Sequence, residues 1–126
     1  MLVDDDQSVL VYLGAKLARH YDVVSTVDPY QVLALARGER PDLILCDYDM
    51  PGMSGMEVAS ALHGDPQLAD IPLVYLTSLV SPGALRDLEG QVRGRPGASK
   101  RAPLSDLLAR IEEFTGGPAA RSAVRA

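Results

Sequence analysis

Asp4, Asp5 and Asp6 stand in a row, Asp47 and Thr77 each close an apolar run, and Lys100 follows a weakly apolar stretch. Adjacent carboxylates repel by about 4 kcal/mol per pair at 4 Å and an effective dielectric of 20. Either they splay into water or a cation sits among them. Oxygen ligands at this density suit a hard dication. Magnesium usually takes one or two carboxylates, keeps several waters and adds a substrate phosphate. Asp5, Asp47 and a nearby backbone carbonyl fit that need. A carboxylate such as Asp47 can attack phosphorus to give an aspartyl phosphate. Lys100 would neutralise the transferring phosphoryl oxygens, and Thr77 would donate a hydrogen bond to one of them. Each residue also has an ordinary reading: a solvated turn or helix cap for the triplet, a turn former for Asp47, a capping hydroxyl for Thr77, a surface charge for Lys100. The joint reading is lifted by their placement at equivalent ends of successive strands. Lys100 is also one of 2 lysines against 10 arginines, which suggests that a compact point charge is wanted there.

The elements that must position these groups are legible in the pattern. Met1–Val3 is a short strand. Val9, Leu10, Leu13 and Leu17 recur at helical spacing over roughly 6–20. Asp22–Val27 is a β-branched strand. Asp28-Pro29 opens a second helix, with Gly38 as its stop. Asp42–Asp47 reads as a strand buried on both faces. Ser54 to Glu57 is a capping box for a helix reaching His63. Pro72–Thr77 is another buried strand, and Ser81-Pro82 begins a fourth helix that fades near Gly90. A weak fifth strand is expected at 98–100. Leu104, Leu107, Leu108, Ile111 and Phe114 mark a last helix, stopped by Gly116. The pattern is βα repeated five times. It implies an α/β fold: a parallel sheet with helices on both faces and right-handed crossovers. In such a sheet, functional groups gather at the carboxyl ends of the strands, where strand order reverses.

The 126 residues make one domain, 47% hydrophobic and 23% charged. A single cysteine, Cys46, excludes an intrachain disulfide framework and a multi-thiolate zinc site. The longest apolar runs are far short of a bilayer span, and the acidic start is unlike a signal peptide. A cytoplasmic protein without membrane contact is the expectation. Residues 1–85 carry 4 basic and 12 acidic side chains and the remainder 8 and 5. The acidic body disfavours direct nucleic-acid binding.

The segments LVDDD (2–6), PDLILCDYDMPGMSG (41–55), IPLVYLTS (71–78) and SKRAPLSDLLARI (99–111) resemble the receiver domain of bacterial two-component response regulators. The resemblance reaches to about Phe114 and includes the spacings Asp5–Asp47–Thr77–Lys100. It implies a doubly wound, flavodoxin-like (βα)5 receiver fold with strand order 2-1-3-4-5. Residues 1–115 would form the receiver domain and 116–126 a tail or linker stub. It implies Asp47 as phosphoacceptor, Thr77 as switch hydroxyl and Lys100 as phosphate-sensing lysine. It implies Mg2+ as cofactor, with Asp5 as direct ligand, Asp4 partly through water, Asp47, and the backbone carbonyl of Asp49. Ser78 is small, as access to phosphorus requires, and Asp6 is helix-cap chemistry.

The implied partners are a sensor histidine kinase or phosphotransfer protein and a downstream effector. The effector would be read through the surface of the fourth helix, fifth strand and last helix, a face that also admits a homodimer. The chain would be no enzyme beyond its own phosphorylation from phosphohistidine and its autodephosphorylation. Two departures stand out. Arg101 follows the lysine where the family usually has proline after a cis bond. Gly97 occupies the position of the family's switch aromatic, in a stretch, RGRPGAS (93–99), that looks little like a strand. They motivate an alternative: a receiver-like interaction module independent of phosphate. A third reading, a haloacid-dehalogenase-type magnesium phosphatase, rests on Asp47-Tyr48-Asp49 as a D-x-D motif. It conflicts with the acidic pair preceding Asp47.

Overall fold

A computed structural model describes residues 1–78, 83, 85, 91–92 and 95–116. In chain order the elements are β1 (Leu2–Val3), α1 (Gln7–Leu17), β2 (Ser25–Thr26), a 3-10 turn (Pro29–Gln31) leading into α2 (Val32–Glu39), β3 (Ile44–Asp47), α3 (Gly55–His63), β4 (Leu73–Thr77), β5 (Gln91–Val92), β6 (Arg95–Ser99) and α4 (Leu104–Thr115). The sheet order is β2-β1-β3-β4-β6-β5. All pairings are parallel except β5 with β6.

Alternation along the buried strands explains the layers. Ile44, Cys46 and Tyr75 face one way, into a cluster closed by Val32 and Ala36 of α2 and Val58, Ala59 and Leu62 of α3. Leu43, Leu45, Val74 and Leu76 face the other, against Leu10 and Leu17 of α1 and Leu107 and Ile111 of α4. A strand covered on both faces must be apolar at every position, which is why β3 and β4 read as unbroken runs. The doubly wound sheet with strands 2-1-3-4 in that order, as expected from the sequence, is therefore present.

Several boundaries differ from the sequence reading. Gly38 does not stop α2. The helix runs to Glu39 and closes at Arg40, whose φ of 52° is left-handed and whose N–H donates to the Ala36 carbonyl at 2.9 Å. Pro41 explains this, since it disfavours a right-handed helical conformation at the residue before it. The expected fifth strand at 98–100 is instead Arg95–Ser99, leaving Lys100 just beyond its end. It also gains an antiparallel edge neighbour, β5, that five βα units do not contain. Its poor strand composition is overridden by pairing: Tyr75, Leu76 and Thr77 lie opposite Gly97, Ala98 and Ser99. The expected fourth helix lies outside the described residues apart from Gly83 and Leu85, which are helical. The capping box is present, with Glu57 N–H donating to Ser54 Oγ at 3.3 Å and Ser54 N–H to Glu57 Oε1 at 3.4 Å. Asp6 Oδ1 caps α1 by accepting from Ser8 N–H at 2.9 Å, and α4 ends at Gly116 with φ 82°.

Candidate functional site

After β1 the chain crosses to β2 on one side and then to β3 on the other. The crossovers leave the sheet in opposite directions here, and a crevice opens at the carboxyl ends of β1 and β3. Asp4 and Asp5 follow β1, and Asp47 ends β3. Their carboxylate oxygens lie within 4.8 Å of one another. Asp4 and Asp47 are only 1% and 5% exposed, whereas Asp5 opens to solvent.

Lys100 enters from the far side. Its Nζ is 2.6 Å from Asp4 Oδ2 and 3.0 Å from Asp47 Oδ1. The turn that delivers it is organised by Ser99. The Ser99 hydroxyl accepts from Arg101 N–H at 3.1 Å, and its carbonyl accepts from Ala102 N–H at 3.1 Å. Arg101 thus uses a donor that proline lacks. Among the described residues there is no cis peptide bond. The lysine backbone is fixed to the next strand by Lys100 N–H donating to the Thr77 carbonyl at 2.8 Å. Thr77, at the end of β4, is buried.

The loop after Asp47 is folded back on the strand. Tyr48 N–H donates to the Leu76 carbonyl, and the Tyr48 carbonyl accepts from Gly55 N–H, both at 2.9 Å. A Cβ on Gly55 would lie 2.5 Å from the Asp47 carbonyl oxygen and 2.9 Å from Tyr48 Cα. Only glycine lets α3 begin this close to the strand end. Gly52 takes φ 82° in the same loop. Asp49 is exposed there, two residues past Asp47.

Burial pushes the Asp47 carboxyl up to about 6, and the Asp4 and Asp5 carboxyls add to this while the Lys100 ammonium opposes it. Burial works against the Lys100 ammonium, but its two carboxylate partners outweigh that and raise its pKa. Three carboxylates against one ammonium leave a negative pocket. The Asp4 carboxylate is also incompletely satisfied. Oδ1 accepts from Asp6 N–H at 2.9 Å. Oδ2 is buried and receives no hydrogen bond of good geometry, although Nζ lies close enough for an ion pair. Hard oxygens, excess negative charge and an under-coordinated carboxylate fit a divalent cation such as magnesium.

The first 94 residues match the family model for the response regulator receiver domain. The chain belongs to that family. It is 37% identical over 121 residues to the response regulator PleD of Caulobacter vibrioides, a match covering 91% of this chain and 25% of that protein. It therefore spans about a quarter of that relative's length. It is 34% identical over 84 residues to the polar-differentiation response regulator DivK of Brucella anthropi, covering 66% of this chain and 68% of the relative. The chemotaxis protein CheY4 of Vibrio cholerae superposes with a TM-score of 0.74 at 30% identity, over 90% of this chain and 94% of that one. Receiver domains are generally non-enzymatic signalling modules of two-component systems. They typically bind Mg2+ at an acidic pocket, and this receiver domain has the Asp4, Asp5 and Asp47 cluster for it. No helix among the described residues is long and apolar enough to cross a membrane.

Of the residues singled out from sequence, Asp4, Asp5, Asp47 and Lys100 converge. Thr77 adjoins them through its backbone, and Asp49 lies on the rim. Sequence reasoning missed Ser99, although a serine two residues before the turn's end is a known signal for a hydroxyl-closed turn. It also missed the ring pair Tyr48–Tyr75, with centroids 5.1 Å apart and edge-to-face at 80°.

Proposed function

We propose that this receiver domain is a phosphorylation switch with Asp47 as the acceptor. A carboxylate oxygen of Asp47 attacks the phosphorus of a phosphohistidine on a sensor kinase or phosphotransfer protein. The P–N bond breaks, the imidazole leaves, and an acyl phosphate remains until water hydrolyses it. Burial raises the basicity of Asp47, so it is a better nucleophile than an exposed aspartate, while Lys100 keeps it ionised near neutrality. Asp5 would hold Mg2+ directly, Asp4 partly through water, with Asp47 and the Asp49 carbonyl completing the protein ligands. Mg2+ supplies charge neutralisation for the phosphoryl oxygens. The Lys100 ammonium would swing from its place between the two aspartates to pair with the phosphoryl group. The Thr77 hydroxyl would donate to a phosphoryl oxygen.

The added charge of about −2 shifts an equilibrium between two arrangements of the face formed by β6, α4 and the helix expected to begin at Ser81-Pro82, the face that an effector reads. Residues 1–115 act as the unit, with 116–126 as tail or linker, in the cytoplasm. The single observation that carries this reading is Lys100 Nζ within 3.0 Å of both Asp4 and Asp47, at the end of a buried β3. Acetyl phosphate with magnesium should label the protein with one phosphoryl group, and Asp47→Asn should take none. Undiminished labelling of Asp47→Asn overturns the acceptor assignment. A wild-type chain that neither labels nor responds to beryllofluoride with magnesium favours the phosphate-independent module.

A further inference from the structure

Gly97 is filled from outside. A Cβ at that position would sit 2.6 Å from Val92 Cγ2 and 3.3 Å from Val92 Cβ, with Leu85 Cδ1 next at 3.7 Å. The Val92 side chain therefore occupies the space that any residue larger than glycine would take. Val92 belongs to β5, and its backbone pairs with Arg95 of β6. It also packs against the same apolar cluster that contains Tyr75. Tyr75 is the direct neighbour of Gly97 across the β4–β6 ladder. Burial holds the Tyr75 hydroxyl's pKa up, and the Arg95 guanidinium beside it works the other way. The Tyr75 ring meets Tyr48 edge-on, and Tyr48 is bonded directly to Asp47. On the opposite face Arg110 Nε of α4 donates to the Gly97 carbonyl at 3.3 Å. Gly97 is thus a notch held from three sides: the Val92 knob from β5, the backbone of β4 at Tyr75, and the Arg110 guanidinium from α4 on its carbonyl.

We propose that the moving part of the switch in this receiver domain is the edge strand β5, seated on β6 by Val92 in the Gly97 notch and unseated when the Asp47 site is occupied. The inference rests on the phosphorylation reading above. The mechanical link is short. Lys100 follows Ser99 at the end of β6 and is shared between Asp4 and Asp47 at rest. A phosphoryl group on Asp47 draws the ammonium to itself and pulls the end of β6 with it. A knob in a close-fitting hole does not deform smoothly; it is either in or out. A shift of roughly an ångström of β6 past β5 is enough to forfeit much of that contact. Unseating uncovers the outer edge of β6 and the Tyr75–Arg95 side of the sheet, which lies on the face assigned to the effector.

Amide hydrogen exchange on the full chain tests this, with and without beryllofluoride and magnesium, while fluorine NMR reports separately whether beryllofluoride is bound. Bound beryllofluoride should speed exchange at Val92 and Arg95, the pair whose N–H groups face each other across β5 and β6, by roughly tenfold, with β3 unchanged. Val92→Ala removes the knob without a clash and should give the fast exchange without beryllofluoride, and little further change with it. Gly97→Ala should do the same by blocking the notch. Beryllofluoride bound with β5 exchange unaltered overturns the inference and leaves the acceptor reading standing. Slow exchange retained in unliganded Val92→Ala also overturns it. No bound beryllofluoride at all overturns the parent reading, and the inference falls with it.

Discussion

Strand β3 reads Ile-Leu-Cys-Asp and strand β6 reads Arg-Pro-Gly-Ala-Ser, yet both pair in parallel with β4 in one sheet. Every residue of β3 is buried, in side chains that fill both layers of the core. β6 has only small residues buried, Gly97, Ala98 and Ser99, and its neighbours reach in to fill the space they leave. The first kind of strand is rigid because its own side chains are the packing. The second depends on what is docked against it. Asp47, the proposed acceptor, is carried by the rigid kind, which suits a group that must keep its position. Lys100, the proposed sensor, is carried by the adjustable kind, which suits a group that must move.

The largest expected difference between these regions is in stability. Leu45→Ala in β3 removes a fully buried side chain and should cost about 3 kcal/mol, read as a shifted denaturant midpoint. Ala98→Gly in β6 should cost about 1 kcal/mol, from one methyl and added backbone freedom. Equal costs would break the contrast. Next is Gly55→Ala. Its methyl group would press on the Asp47 carbonyl oxygen, so either the loop or α3 must move. A cost of about 2 kcal/mol is expected, with at least tenfold weaker beryllofluoride binding. Unchanged binding would mean that the Asp47 loop is less constrained than the packing indicates.

The same contrast explains what could be read from the chain alone. Ile44–Asp47 and Leu73–Thr77, within the expected strands 42–47 and 72–77, were legible because a strand buried on both faces writes its environment into every residue; the expected strands began too early, at Asp42, which is exposed, and at Pro72. Ser54 and Glu57 were legible because a capping box is local. Asp5, Asp47 and Lys100 could be placed together because strand ends in a doubly wound sheet share one rim. β6 was legible only at its last residues, because its partners, Tyr75 on one side and Val92 on the other, specify it from a distance in sequence. Gly97 looked like a loss of the family's ring. Only the fold shows that Val92 takes up the room. The Arg40 helix stop was hidden behind Gly38, an obvious terminator that the chain does not use.

A smaller effect separates the two partners of the Lys100 bridge. In metal-free protein the Asp47 carboxyl rises from 3.8 to about 6 on folding, first through burial. Between those values the folded state holds a proton that the unfolded chain has lost, so Asp47's contribution is complete below about pH 4 and is lost as pH rises through about 6. Asp47→Asn carries no charge to desolvate. In EDTA at about pH 8 it should be more stable than wild type by about 1 kcal/mol, and the advantage should vanish toward about pH 4. Thermal melts of the two proteins across pH measure the difference. A variant less stable at high pH would show that the Lys100 pair outweighs burial.

The smallest expected effect concerns Ser99, and it sharpens the comparison most. The hydroxyl of Ser99 accepts the Arg101 N–H and so holds the turn that aims Lys100 into the crevice. Ser99→Ala leaves that N–H seeking water at an exposed residue, so the stability cost should be below about 1 kcal/mol. Its functional cost should be larger in proportion, because a flexible four-carbon stem magnifies any drift of its backbone. Beryllofluoride affinity should fall roughly threefold, which at about 0.6 kcal/mol of RT per e-fold is within the worth of one hydrogen bond. Ser99→Thr retains the hydroxyl and should restore the affinity. If Ser99→Ala binds as tightly as wild type, the turn is held by the sheet alone, through Lys100 N–H and the Thr77 carbonyl, and β6 is more rigid at its functional end than its composition implies.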